Sequence, residues 1–365
     1  MRVEWLSLAG FRSYATLDWR PDPGVNLLLG DNGVGKTNLL EAIAYLGSLK
    51  SFRRVVDTEL IADDAESAVL RAGVVSGGSH HLVEIELRRR GARRAQLDKT
   101  ALRRTGDLIG VLRAVWFLPD DLELVKRGPS HRREFLDDLA VQLWPGAYAE
   151  QVEFVRALRQ RNAFLRMGQV DDDTLSVWDA RLAQSGGRVL ARRGRVLQLL
   201  GPELTAAYQE IAEEGSEVLV SYDVSWGEST LGVESAPQFT DSLLEALEKS
   251  RRRDYERRVT TVGPHRDEAR FLLDGHDARV HASQGEQRSL ALAARLASHR
   301  MVGDAMGEPP LLLLDDVFSE LDAHRAKALA RALPGDTQTM ITSARRSELP
   351  VTGASWRVGS GMVMA

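Results

Sequence analysis

Residues 3–8 alternate apolar and polar side chains up to the break at Gly10, a period of two that predicts a strand. Residues 15–19 predict a second strand, closed by Pro21 and Pro23. Val25-Asn26-Leu27-Leu28-Leu29 is a short apolar run of the kind buried on both faces of a parallel sheet. The period then becomes helical, with Leu39, Leu40, Ile43 and Leu46 on one face of residues 37–46. Residues 69–75, 81–87 and 94–97 predict further strands joined by glycine or basic turns. Residues 111–118 are apolar and stop at Pro119-Asp120-Asp121.

Beyond Asp121 the texture changes. Residues 133–143 set Leu136, Leu139, Ala140 and Leu143 on one helical face, and residues 152–165 and 178–200 behave alike, with an acidic turn at 169–173. Residues 218–224 predict a strand and 239–249 a helix. Strand signals return near Thr260, at 269–273 and 279–281. A helix is expected at 285–299, an apolar strand at 311–314, a helix at 319–333, and strands at 337–342 and 356–358. The reading is an α/β core from residues 1–120 and 258–365, with an antiparallel side sheet, interrupted by a mostly helical insertion at 121–257. No heptad run is long enough for an extended coiled coil, and no internal repeat is evident.

The 365 residues suffice for two or three domains, and no apolar stretch approaches the ~20 residues of a membrane span. The absence of cysteine excludes disulfides, thiolate metal sites and a cysteine nucleophile, and suits a reducing cytoplasm. A net charge of −4 does not mark the whole chain as a polyanion binder. Of its 48 cations 42 are Arg and 6 Lys, a bias that codon usage alone explains.

The chemistry centres on Gly30-Asp31-Asn32-Gly33-Val34-Gly35-Lys36-Thr37, which fits the phosphate-binding loop G-x-x-x-x-G-K-[ST] between a strand and a helix. In that geometry backbone N–H groups cradle phosphate oxygens at a helix N-terminus, Lys36 reaches the β/γ-phosphates and the Thr37 hydroxyl binds Mg²⁺. A chance glycine turn is the bland alternative. Residues 311–314 run into Asp315-Asp316 at the carboxyl end of a buried strand, where ligands bind in such sheets. Asp315 is the candidate to hold Mg²⁺, directly or through water, and Asp316 to polarise the attacking water. Ser283-Gln284-Gly285-Glu286-Gln287 opens a helix as a capping box. The cap accounts for Ser283 and Glu286 without any nucleotide, but it does not account for Gly285.

The order P-loop, helical insertion, Ser-x-Gly-x-Gln, acidic strand and Leu321-Asp322 resembles ABC-type ATPases. Phe11-Arg12-Ser13-Tyr14, the run from Gly35 to Ile43, Gly128-Pro129-Ser130-His131-Arg132-Arg133-Glu134-Phe135-Leu136-Asp137 and Val262-Gly263-Pro264-His265-Arg266-Asp267 resemble the RecF family of SMC-like ABC ATPases. That resemblance implies an ABC-type P-loop ATPase head, an antiparallel side sheet and a mostly α-helical lid. It adds Arg12, Ser283, Gly285 and Gln287 to the nucleotide contacts, with Ser283 acting in catalysis beside Lys36 and Asp316. Thr342 or Ser343 takes the place of a last-strand sensor that is often His in transporters, so turnover is expected to be slow. Asp120 or Asp121 stands where transporter ATPases carry a Gln reaching the Mg²⁺ shell, with Asp120 the metal candidate.

The resemblance further implies a cytoplasmic repair protein with ATP and Mg²⁺. It would bind double- and single-stranded DNA without sequence preference, act with RecR and RecO to load RecA at gaps, and dimerise head to tail on ATP. Three Arg-rich clusters could serve DNA: Arg88 to Arg104, Arg188 to Arg195, and Arg251 to Arg258. Each could equally be a solvated face paired with nearby acids. A soluble subunit of an ABC transporter is the competing class. A kinase without a dimer is disfavoured by residues 283–287, and a long-armed SMC protein by the missing heptads.

Overall fold

The computed structural model describes residues 1–168, 171–212, 215–227, 235–359 and 361–364, without the side chains of Leu122 and Glu123. Gln169 and Val170 of the expected acidic turn lie outside that description. The chain divides into two compact units. The first comprises Met1–Leu122, Ala207–Glu214 and Ala291–Ala365; the second comprises Glu123–Ala206 and Gly215–Leu290.

In chain order the first unit begins with β1 (Arg2–Phe11), β2 (Tyr14–Trp19), β3 (Val25–Leu29) and helix α1 (Lys36–Ser48). It continues with β4 (Ser67–Ser76), β5 (Ser79–Arg88), β6 (Arg94–Leu97), β7 (Thr100–Ala101) and β8 (Ala114–Phe117). The second unit carries α2 (Pro129–Leu143), α3 (Gly146–Arg166), most of α4 (Asp172–Ala212), β9 (Val218–Asp223) and α5 (Ala236–Arg257). It also holds β10 (Glu268–Leu273), β11 (His276–Asp277), the short α6 (Ala278–His281) and the first turns of α7 (Gln284–Met306). The chain closes in the first unit with β12 (Leu311–Asp315), α8 (Ala323–Ala332), β13 (Thr339–Ser343), β14 (Ala354–Gly359) and β15 (Met362–Met364).

The first unit holds two sheets. One has the order β2-β1-β4-β5-β6-β7 and is antiparallel throughout, which is the side sheet expected from alternation. The other has the order β15-β14-β3-β13-β12-β8, parallel except for its edge strand β15. Leu311, Leu312, Leu313 and Leu314 of β12 are all fully buried. A strand covered on both faces has no use for alternation, which is why its sequence reads as a continuous apolar run. Each such side chain contributes about 1.5–3 kcal/mol by leaving water. Helix α1 packs against strands of both sheets and is buried on nearly every side, so its amphipathic face is wide.

Three expectations change. Residues 279–281 form helix α6 rather than a strand, because Asp277 accepts a hydrogen bond from Arg279 N and caps a helical turn. Residues 319–333 are not one helix: a 3₁₀ turn at Val317–Glu320 ends in an extended Leu321, and Asp322 then caps α8 through His324 N and Arg325 N. The second unit extends to Leu290, past residue 258, because β10 pairs with β9.

In the second unit, Phe154, Leu182, Val189, Leu243, Leu247 and Val262 form a buried cluster among α3, α4, α5 and the segment before β10. Two ionic knots accompany it. The fully buried Arg161 donates to Asp179 (2.7 Å), Asp254 (2.7 Å) and Thr260 Oγ1 (2.9 Å). Arg193 forks Asp137 (2.7 and 2.8 Å) and donates to Tyr222 Oη (2.6 Å) and Pro264 O (2.7 Å). Tyr222 in turn donates to Asp267 at 3.1 Å.

Candidate nucleotide site

The phosphate loop begins against the end of β13, where Gly30 N donates to Ser343 O at 3.3 Å. A Cβ at Gly30 would lie 2.3 Å from Val358 O, so no side chain fits there. Gly35 sits at φ 110°, and its Cβ would lie 2.7 Å from Ser13 Oγ. The buried Tyr14 hydroxyl donates to Gly35 O at 3.1 Å, and burial pushes its phenol up to about 12. Asp31, Asn32 and Gly33 form the exposed lip of the loop, with Val34 partly covered.

Lys36 is 6% exposed and curls over the loop, its Nζ donating to Gly30 O (2.5 Å) and Asp31 O (2.9 Å). Burial draws its pKa below the usual lysine value, opposed by the charges of Asp316, Asp315, Asp31 and Glu348. A cation held in the loop among carboxylates is poised for an incoming polyanion.

Thr37 Oγ1 donates to Asp315 Oδ1 at 2.9 Å, joining residues 278 apart in sequence. Thr342 Oγ1 donates to the same oxygen at 2.8 Å and accepts from Asp316 N at 2.8 Å. One threonine thus fixes both acids. Asp316 stands in the left-handed region at φ 51°, a conformation Asp tolerates better than most residues. Burial raises the pKa of both carboxyls; hydroxyls from Thr342 and Thr37 oppose this at Asp315, and Ser319 and Lys36 at Asp316. Asp316 Oδ1 is buried with no hydrogen-bond partner among the described residues.

This donor set fits Mg²⁺. The Thr37 hydroxyl and the Asp315 carboxylate are hard oxygen ligands already in contact, and the unsatisfied Asp316 oxygen can accept from a water. Among the described residues no cluster of three acids or histidines forms a metal cage, so phosphate oxygens would have to complete the shell.

The remaining first-unit candidates divide. Asp121 is committed, accepting from Leu118 N (2.9 Å) and pairing with Arg295 (2.5 Å). Asp120 is exposed, just beyond β8, whose neighbour in the sheet is β12. Arg12 forks Glu41 of α1 (2.9 and 3.1 Å) and donates to Glu59 O, so it braces the helix behind the loop.

Sequence reasoning missed three neighbours. Glu41 is fully buried and also accepts from Ser51 Oγ at 2.5 Å. Arg53 donates to Asn38 Oδ1 at 2.9 Å and lowers the pKa of Asp315 by its charge. Glu348 accepts from Ser343 Oγ at 3.1 Å. The only hint of the last two was a charge shortly after a predicted element.

In the second unit, Ser283 is exposed at the start of α7 and forms the expected capping box. Its N donates to Glu286 Oε2 (2.6 Å), and Glu286 N donates to its Oγ (3.3 Å). Gly285 is partly covered in the first turn. The Gln287 amide donates to Ala278 O and Ala282 O at 3.1 Å each, which ties α6 to the helix start. The two family-like stretches converge in this unit as well, since Asp137 and Pro264 share Arg193 and Arg133 donates to Asp267 O at 2.5 Å.

The model for the RecF/RecN/SMC N terminal domain matches residues 2–360. The chain belongs to this RecF family. The DNA replication and repair protein RecF of Beutenbergia cavernae is 41% identical over 394 residues, covering 100% of this chain and 99% of that one. RecF of Arthrobacter sp. (strain FB24) is 37% identical, covering 98% and 97%. The solved recombination mediator protein RecF-ATPrS in the RecFOR pathway is similar with a TM-score of 0.91 at 29% identity, covering 100% and 97%. An Smc head bound to the C-winged helix domain of ScpA shares the fold at a TM-score of 0.56 and 16% identity. The architecture is therefore the ABC ATPase head of RecF and SMC proteins. Among the described residues no helix is long and apolar enough to cross a membrane, and the RecF relatives do not favour the transporter subunit.

Proposed function

We propose that this RecF-family chain is an ATP- and Mg²⁺-dependent DNA-repair ATPase whose nucleotide state governs its hold on DNA. The observation that carries this is the meeting of the loop's Thr37 with Asp315 and Thr342 at 2.8–2.9 Å. Relatives described as RecF-ATP and RecF-ATPrS support ATP as the nucleotide.

In the mechanism, Lys36 leaves Gly30 O and Asp31 O for the β/γ-phosphates, and Gly30 to Gly35 line the cradle. Thr37 and Asp315 would hold Mg²⁺, with Asp120 beyond β8 a further candidate, and a bound Mg²⁺ would supply charge neutralisation for phosphoryl transfer. Asp316 accepts from the attacking water through its unsatisfied oxygen. A sensor hydroxyl from Thr342 in place of a His keeps turnover slow. Arg12 acts on the nucleotide through Glu41 and α1.

A second copy brings its exposed Ser283 and the partly covered Gly285 to the γ-phosphate, with Gln287 holding that helix start in shape. Two copies joined head to tail close on double- or single-stranded DNA, and hydrolysis releases it. RecR, RecO and RecA act in the same pathway, consistent with relatives assigned to the RecFOR pathway.

The test is light scattering and DNA retention with ATP. Wild type should dimerise and bind DNA. Lys36→Ala should lose nucleotide, Ser283→Arg should bind ATP but stay monomeric, and Asp316→Asn should remain dimeric without turnover. A Ser283→Arg protein that dimerises normally would refute the arrangement.

A further inference from the structure

The structure separates the Arg clusters. In the first, Arg89 donates to Ala65 O (2.8 Å) and Ala62 O (2.9 Å), and Arg93 to Tyr45 Oη (2.8 Å) and Leu49 O (2.6 Å), so both close their own unit. In the second, Arg188 pairs with Glu153, Arg192 forks Glu150, and Arg193 is buried on Asp137. The third differs. Arg251 is turned inward onto Asp179, but its followers line an open cavity of about 800 Å³ on α5.

The cavity wall carries Lys249, Arg252, Arg253 and Arg257 against a single acid, Glu256. Lys249, Arg253 and Arg257 fall on successive turns of one helix face, about 6 Å apart along the axis. Arg252 is 94% exposed and pairs with Glu256 at 3.3 Å, Lys249 pairs with Glu245 at 2.5 Å, and Arg253 donates to Thr261 at 2.8 Å. Both ion pairs lie in solvent, where such pairs are weak and readily exchanged for phosphate. Trp226 also lines the cavity; it packs on the buried cluster of this unit and donates from Nε1 to Ser242 Oγ at 3.1 Å. A cationic row beside a tryptophan held by the core is the combination that tracks a backbone and stacks an unpaired base.

We infer that this cavity is a single-stranded DNA subsite, with Lys249, Arg253 and Arg257 on successive phosphates and Trp226 under a base. A duplex fits it less well, because its base faces are already stacked. The subsite rests on the DNA-binding reading proposed above and assigns it to one surface.

The test uses the full chain with ATP and a fluorescent oligothymidylate across a salt series. The triple variant Lys249→Ala, Arg253→Ala, Arg257→Ala should lower the slope of log K against log salt by about 2. Trp226→Ala should weaken binding about five-fold or more with the slope unchanged. ATP binding should stay at the wild-type value in both, and thermal melting in the triple variant. Trp226→Ala should melt lower, because it gives up packing on the cluster and the bond to Ser242. Wild-type affinity and slope in the triple variant overturn the subsite while leaving ATP-dependent DNA binding standing. A loss confined to duplex, or to anionic phospholipid vesicles, overturns it too. Wild-type protein that ignores DNA with ATP present sinks the subsite and the reading beneath it together.

Discussion

Thr342→Val removes one oxygen and keeps the shape of a β-branched strand residue. Two hydrogen bonds go with it: the one donated to Asp315 Oδ1 and the one accepted from Asp316 N, both 2.8 Å. The first reaches a charged acceptor, worth about 1.5–3 kcal/mol, and the second a neutral pair, worth about 0.5–1.5 kcal/mol. Nucleotide-free protein should therefore lose about 2–4 kcal/mol. For a unit of about 200 residues that lowers the melting temperature by roughly 4–15 °C. If Asp315 holds Mg²⁺ as proposed, Mg-ATP would give it a replacement partner, but nothing would replace the acceptor that holds the left-handed turn at Asp316. Turnover should fall about 5- to 30-fold, from roughly 1–2 kcal/mol, while the Kd for ATP moves less than about three-fold. Single-turnover hydrolysis and equilibrium nucleotide binding on the same preparation separate these effects. Unchanged hydrolysis beside a clearly lowered melting temperature would refute the link from Thr342 to Asp316. A collapsed affinity with intact turnover would place the hydroxyl in ground-state binding instead.

Asp315→Asn should stabilise nucleotide-free protein at pH 7, since burial raises this carboxyl and its ionised form costs stability. The gain should vanish as pH falls through the raised pKa, where wild-type Asp315 takes up its proton; chemical denaturation at several pH values checks this. Burial lowers His265 to about 4, so the unfolded chain binds its proton first and the second unit should lose stability as pH drops from about 6.5 to 4. The loss should reach at most roughly 3 kcal/mol and disappear in His265→Gln, as read by urea melts. Arg161→Met leaves the buried Asp254 without its arginine and Asp179 with Arg251 as its remaining arginine, and should cost roughly 3–5 kcal/mol. Adding Asp179→Asn and Asp254→Asn should restore much of it, and calorimetry that finds the triple variant no better than the single would count against the knot.

The strands of the parallel sheet were legible because continuous leucine runs admit few other settings, and the phosphate loop because glycines at 30 and 35 have no substitutes in their surroundings. Asp277 was harder to read: the same apolar–polar run at 279–281 suits a strand until the cap is seen. The continuation of the second unit to Leu290 depends on β10 choosing β9 as partner, a pairing across many residues that no local pattern encodes. Within the site, Lys36, Thr37 and Asp315 were picked out as candidates by motif and spacing, and the fold brings Thr37 and Asp315 into contact. The commitment of Asp121 to Arg295 and of Arg12 to Glu41 did not, because an ion pair between distant residues leaves no trace in either neighbourhood. The Arg clusters looked alike as text and separated only once their partners were visible.

The meeting of Asp137, Arg193, Tyr222, Pro264 and Asp267 bears on how such chains diverge. Two stretches that resemble the RecF family meet here at a single arginine, so a change in one half should strain the other. Across relatives, replacement of the arginine should arrive together with replacement of the aspartate or the tyrosine. Chimaeras that swap one stretch between lineages should fold poorly unless the matching stretch travels with it.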